Sequence, residues 1–176
     1  MHRVFHLIAM LLDAAAIALA DLPIRQPGLF GSNWQMKNNH DLADEIGWPE
    51  FVAEVAAVRD TLPPEDRNHL AVLAYNYGEA GALALYGPRY NLPTPISNIN
   101  SIHDRGYGPF GPEPVIIVGS DLNDQQQNYE HCSVAAYIAI PHGVRNEESL
   151  CHPEILVCRH LLHPWPQAGT NAQQFG

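Results

Sequence analysis

Two short apolar runs have the pattern of strands that are buried on both faces of a sheet. Residues 70–74 (LAVLA) and 115–118 (VIIV) are continuously apolar, and a turn and a helical stretch follow each of them. Such units build sheets that carry helices on their faces. Residues 134–140 and 155–161 are two further predicted strands, one of them at a sheet edge. The pattern predicts an α/β domain of three layers, with a mixed, mostly parallel sheet and helices on both faces.

Helical spacing is clearest between residues 48 and 62. Trp48, Phe51, Val52, Val55 and Leu62 recur on one face, and Pro49 suits the first turn of a helix because its missing N–H would have no partner there. Two adjacent prolines then end the helix. Two more helices are expected after the central apolar runs, over residues 80–86 and around residues 122–131.

An apolar stretch at residues 4–20 precedes the domain. Its length approaches that of a membrane span, but His6 and Asp13 interrupt it. It fits a remnant of a membrane helix, a signal peptide with a small-residue cleavage site, or an amphipathic helix packed on the domain. We therefore predict an N-terminal apolar helix with a connector over residues 1–38, a single α/β domain over 39–164, and a flexible tail over 165–176.

Composition narrows the classes of partner. The net charge of −10, with only nine lysine and arginine residues, provides no cationic cluster for a phosphate backbone, so we predict no nucleic-acid binding. The same charge disfavours electrostatic adsorption to an anionic membrane, which leaves hydrophobic association through residues 4–20. Among three cysteines, Cys132 and Cys158 lie near neighbouring predicted strands and form a bridge if their Cα atoms are within about 7 Å.

Two loops are the candidate binding site. One follows the first central strand and the other follows Pro93, and strands of such a sheet open at their carboxyl ends on one crevice. The alternative is that Asn76 and Glu79 cap the following helix while Tyr77 packs. The candidate ligand-binding residues are Asn76, Tyr77, Glu79, Ser97, Asn98 and Asn100.

The spacing of residues does not support a metal site, a nucleotide-binding site or a catalytic nucleophile. Five histidines share the last third of the chain with the three cysteines, but no spacing matches a metal motif. Nucleotide-binding glycine patterns and GxSxG are also absent. We predict no metal site, no cofactor and no catalytic residue.

Several stretches resemble the C-terminal soluble domain of prokaryotic glycosyltransferase family 39, whose members are multi-spanning enzymes related to protein mannosyltransferases and the aminoarabinose transferase. The similarity covers about residues 39–160 and includes the stretches NYGEAGA, VIIVGS and EILVCR. The matched positions are Ala43, Asp44, Gly47 and Trp48 of an "AD–GW" opening, residues 76–82 with Tyr86 and Gly87, then Leu92, Pro93, Ser97 and Asn100, and finally Val157, Cys158 and Arg159.

The sequence departs from the family in two respects. The family continues from the asparagine into a tryptophan-rich "W–WGP" sequence, whereas residues 101–112 read SIHDRGYGPFGP. The family's catalytic acidic residue and its lipid-phosphate-sugar site belong to a membrane part that this sequence does not contain.

The resemblance implies a non-catalytic accessory domain, or a fragment, of a membrane glycosyltransferase that uses a polyprenyl-phosphate sugar donor. Its expected place is the extracytoplasmic, periplasmic face of the membrane. The implied partners are the membrane part of such an enzyme or a polypeptide or glycan acceptor. Two other interpretations remain open: a small stand-alone α/β enzyme or binding protein with its site at the turn of residues 76–79, and a domain kept for interaction alone.

Overall fold

The computed structural model of the chain describes residues 2–22, 32–106 and 113–163. The predicted tail at residues 165–176 lies outside them, as do residues 107–112 of the loop that departs from the family pattern. The described residues form two compact units. The first contains those up to Gly47 together with Ile140–Asn146, and the second contains Trp48–Ala139 and the residues from Glu147 onward.

The first unit is helical. It contains α1 (His2–Asp21), α2 (Ser32–Asn38), α3 (His40–Asp44) and a short 3₁₀ helix at Pro141–Gly143. Asn39 caps α3, since its side chain accepts a hydrogen bond from the N–H of Leu42. A small core of Met36, Ala43 and Val144 holds this unit together.

Residues 2–21 form the helix α1, and its large apolar side chains are exposed. Phe5, Met10, Leu11 and Leu12 are each exposed over about two thirds of their surface or more. Within the described residues, no helix has the length and apolarity that crossing a membrane requires.

The second unit contains the sheet and six helices. Its strands are β1 (Ala71–Ala74), β2 (Ile96–Ser97), β3 (Val115–Val118), β4 (Tyr129–Tyr137) and β5 (Glu154–Leu161). Its helices are α4 (Trp48–Thr61), α5 (Pro64–Arg67), α6 (Tyr77–Tyr86), α7 (Asn100–His103), α8 (Leu122–Gln125) and α9 (Glu147–Leu150), and a 3₁₀ helix follows α6 at Gly87–Tyr90.

The strand order is β2-β1-β3-β5-β4, and the sheet is mixed. β1 pairs in parallel with β2 and β3, whereas β5 pairs antiparallel with β3 and β4. The predicted α/β class with a mixed sheet is therefore confirmed. The parallel pairings are confined to the β2-β1-β3 half, because β5 runs antiparallel to both of its neighbours, β3 and β4.

The strands β1, β3 and β5 and the helix α4 lie where their patterns placed them. Every residue of β1 and β3 is buried, as continuous apolar runs predict. In α4, the side chains of Phe51, Val52 and Val55 are buried.

The region between α8 and β4 differs from the prediction. The helix expected around residues 122–131 ends at Gln125, and β4 begins at Tyr129, five residues before the predicted strand. The pairing of β4 with β5 sets the start of β4, since Tyr129 lies opposite Leu161 of β5 and is almost fully buried. β4 lies at the edge of the sheet, as expected for one of the two later strands.

Candidate functional site

The predicted binding loops leave the same edge of the sheet side by side. Ala74, the last residue of β1, lies opposite Ser97 of β2 and opposite Val118 of β3. The three strands are parallel, so their carboxyl ends meet at this edge. Helices α6 and α7, which begin in the two predicted loops, also contact each other.

The turn of residues 76–79 forms a complete capping box. The Asn76 side chain accepts a hydrogen bond from the N–H of Glu79 at 2.7 Å, and the Glu79 carboxylate accepts one from the N–H of Asn76 at 3.4 Å. Such reciprocal bonds pair N–H groups that the first turn of a helix leaves without partners. The Oδ1 atom of Asn76 and the Oε2 atom of Glu79 are thus used inside the domain.

Glu79 is a fully buried acid at the helix N-terminus. Burial raises the pKa of its carboxyl to about 8, and the nearby Glu148 carboxylate adds to the rise, whereas the hydrogen bond from Asn76 opposes it. Its Oε1 atom has no hydrogen-bond partner among the described residues. At neutral pH this carboxyl is mainly protonated, and it can then donate a hydrogen bond.

Close packing surrounds the Glu79 carboxyl and the turn. Gly119, directly after β3, has φ +73°, and a Cβ atom there would collide with the Glu79 carboxylate. The ring of Trp48 lies against Gly78, where a Cβ atom would be 2.9 Å from the ring. Glycine is therefore required at both positions by close approach, and at 119 by backbone conformation as well.

Tyr77 differs from the other two residues of the turn. Its side chain is 71% exposed, so it does not pack on the domain as the capping alternative assumed. It is the member of this turn that presents a large side chain to solvent.

The second predicted loop is mostly buried. The Ser97 hydroxyl accepts a hydrogen bond from the N–H of Ile99 at 3.2 Å. Asn98 is also buried, and its Oδ1 has no hydrogen-bond partner among the described residues. Asn100 is the first residue of α7, on the same edge of the sheet as Asn76.

A polar network that the sequence pattern did not predict lies beside the carboxyl ends of the parallel strands. The buried Gln125 amide donates hydrogen bonds to the Tyr75 hydroxyl at 2.9 Å and to the Ser120 hydroxyl at 2.8 Å. Tyr75 follows β1 and Ser120 follows β3, so α8 joins the ends of two neighbouring strands. The sequence around Gln125 does not distinguish it from the two glutamines that follow it. Gln125 differs from them in being buried.

A separate groove lies on the outer strands of the sheet. Its volume is about 480 Å³, and strands β4 and β5 provide most of its lining. A disulfide joins Cys132 and Cys158 on these two strands, and their Cα atoms are 4.2 Å apart, which meets the condition that the sequence analysis set for this bridge. Glu130, His131 and His160 lie together at one end of the strands, and their potential metal-ligating atoms are within 4.8 Å of one another.

Comparison of the chain with protein-family models, with curated proteins and with solved structures finds no match.

Proposed function

We propose that this chain is a non-catalytic extracytoplasmic accessory domain, or a fragment, of a membrane glycosyltransferase that uses a polyprenyl-phosphate sugar donor. The observation that carries the proposal is the meeting of three stretches of family resemblance around Glu79. Trp48 packs on Gly78, Asn76 and Glu79 cap each other, and Gly119 admits the carboxyl of Glu79. The residues most like the family thus hold the domain together, which supports a structural and binding role rather than catalysis.

The finer architecture that we propose has three layers, with helices on both faces of the sheet. The complete burial of β1 and β3 supports it, because side chains of a strand point alternately to the two faces. Both faces of the central strands are therefore covered.

The disulfide supports the proposed compartment. Disulfides persist in oxidising compartments such as the periplasm and are rare in the cytosol. Cys132 and Cys158 lie directly opposite each other in register, so the folded chain holds the two sulfurs ready to bond.

Two exposed surfaces are the proposed contacts with partners. Tyr77, at the edge of the sheet where the parallel strands end, presents an aromatic ring to a polypeptide or glycan acceptor or to the membrane part of the enzyme. The apolar side chains of residues 4–20 provide the proposed contact with the membrane.

One observation favours a second candidate, a stand-alone enzyme or binding protein with its site at the same turn. The protonated Glu79 carboxyl has an Oε1 atom without a hydrogen-bond partner among the described residues, and raised carboxyl pKa values recur at catalytic sites. The burial of that carboxyl favours the first proposal, because a substrate would have to reach a fully covered side chain.

Thiol labelling in the cells that produce the protein tests the compartment. Cys151 is exposed and lies outside the disulfide, so a membrane-impermeant maleimide added to spheroplasts should label it without lysis. Cys132 and Cys158 should react only after reduction. A Cys151→Ser variant is the control for site specificity, and labelling that requires lysis would contradict the proposal.

Photo-cross-linking tests the partner. A photoreactive amino acid in place of Tyr77 should capture a multi-spanning glycosyltransferase, identified by mass spectrometry. The matched control is Tyr137 on β4, which is 61% exposed. Equal capture from both positions, or capture of no membrane protein from position 77, would contradict the proposed contact.

A further inference from the structure

We propose that Glu130, His131 and His160 form a binding site for Zn²⁺ on the outer two strands of the sheet. Glu130 and His131 belong to β4, and His160 belongs to β5. All three side chains are exposed, and their potential ligand atoms lie within 4.8 Å of one another.

The register of β4 and β5 brings these residues together. Tyr129 pairs with Leu161 and His131 pairs with Arg159, so Glu130 lies opposite His160. The Nδ1 atom of His160 is 3.6 Å from Oε2 of Glu130, and the rings of His131 and His160 are edge to face with centroids 5.4 Å apart.

The backbone at His160 departs from a regular strand. Its φ is +57°, in the left-handed region that residues other than glycine seldom adopt. Neighbouring residues of a regular strand point to opposite faces, which would separate Glu130 from His131 and leave His160 with only one of them. The three side chains thus approach one another at the point where the backbone of His160 departs from regular strand geometry.

The ligand set is suited to zinc. Two imidazoles and one carboxylate are the three protein ligands of many open zinc sites, which keep a fourth position for water or another molecule. Imidazole nitrogens favour zinc and copper over Mg²⁺ and Ca²⁺, which prefer oxygen ligands. A tetrahedral ion with bonds of about 2.1 Å needs ligand atoms about 3.4 Å apart. Rotation of the three exposed side chains would have to bring their ligand atoms, which lie within 4.8 Å of one another, to that separation.

The surroundings provide rigidity and room. The disulfide from Cys132, next to His131, fastens β4 to β5. The groove of about 480 Å³ is lined by Glu130 and His131 among other residues, so two of the proposed ligands border a space large enough for water or a small ligand at the fourth position. Arg159 also lines this groove, but Asp66 accepts a hydrogen bond from its guanidinium at 2.5 Å and offsets its charge.

Calorimetric titration of the tag-free protein with Zn²⁺ tests the site. A Cys151→Ser background removes the exposed thiol as a competing ligand. We expect one Zn²⁺ per chain, together with a Zn²⁺-dependent rise in Tm, because a ligand that binds only the folded state stabilises it. His131→Ala and His160→Gly should each weaken binding about tenfold or more, since even residues that only orient metal ligands contribute that much.

The matched control is His142→Gly. His142 is also an exposed histidine with positive φ, +60°, and it lies outside the cluster. Glycine adopts such a conformation without strain, so the variants at 160 and 142 should both fold. Unchanged binding in His142→Gly supports the site. No binding at millimolar Zn²⁺, or equal loss in the variants at 142 and 160, would overturn it.

The electron paramagnetic resonance spectrum of bound Cu²⁺ gives an independent readout. Nitrogen couplings from two imidazoles should be present in the Cys151→Ser protein, and one imidazole should be lost in His131→Ala. A spectrum with oxygen ligands alone, or one unchanged by His131→Ala, would place the metal elsewhere and refute the proposal.

Discussion

At the scale of single residues, Glu79 combines two features that have opposite effects on the charge of its carboxyl. Acidic side chains are seldom fully buried, yet this one has no exposed surface and lies at a helix N-terminus, where negative charge is normally favoured. The raised pKa shows which effect is stronger, since loss of hydration outweighs the hydrogen bond from the N–H of Asn76.

The pH dependence of stability should follow from this burial. The pKa of Glu79 rises from an ordinary 4.5 to about 8 on folding, so between these values the folded state binds more protons than the unfolded state. The stability that protonation of the Glu79 carboxyl gives the folded state is fully present below the unfolded pKa. This stability is lost as pH rises through the folded pKa. We expect Glu79 to lower the free energy of unfolding by roughly 1 kcal/mol per pH unit across that window.

Urea denaturation of the wild type and of Glu79→Gln, at a series of pH values, measures this effect. Glutamine keeps the shape of the side chain and removes the titration, so the stability difference between the two proteins should change with pH. Glu65→Gln, at an exposed position, is the control. Parallel curves for wild type and Glu79→Gln would show that the buried carboxyl does not titrate in this window.

The sequence predicted only part of this site. The spacing of Asn76 and Glu79 indicated a cap, and the order of strand and turn placed both at the carboxyl end of β1. The close packing and the raised pKa of Glu79 could not be predicted, because the packing involves Gly119 and the pKa depends in part on Glu148, which are 40 and 69 residues further along the chain. The cluster of Glu130, His131 and His160 depends on strand register in the same way.

At the scale of elements, α6 depends on its cap. The helix has only ten residues, and short helices have little stability of their own in water. Its first turn also positions Glu79 under Gly119, so the capping box links the helix to the end of β3.

Asn76→Ala should lower the free energy of unfolding by about 1 kcal/mol, the usual cost of a lost N-cap. Asn76→Ser keeps an oxygen that can accept the hydrogen bond from the N–H of Glu79, and it should retain most of the stability. Chemical denaturation at one pH distinguishes the two variants. Equal losses in alanine and serine would mean that packing at position 76, rather than capping, stabilises α6.

The elements themselves were predictable where the pattern was long or continuous. The helical spacing of Phe51, Val52 and Val55 predicted α4, and the two apolar runs predicted β1 and β3. The two-residue strand β2 was missed because it has no pattern of its own and is defined by its pairing with β1. The start of β4 was missed for the same reason.

At the scale of the whole molecule, the proposed function requires that sugar transfer be catalysed at a membrane site and not within this domain. A polyprenyl-phosphate donor is held in the membrane, and transfer from it needs a site built at the membrane surface. The purified chain should therefore transfer no radiolabelled mannose from a polyprenyl-phosphate donor to a peptide acceptor. Turnover above a no-protein control that is lost in Glu79→Gln would support the stand-alone enzyme instead.

The disulfide between β4 and β5 has a consequence for association between copies of the chain. β4 is a nine-residue strand at the sheet edge, and such an edge can pair with a strand from another molecule or be exchanged for it. Exchange of β4 would require it to leave β5 of its own copy. The bond between Cys132 and Cys158 prevents that departure, so oxidation fixes the outer strand permanently to its own molecule and closes this route to domain swapping.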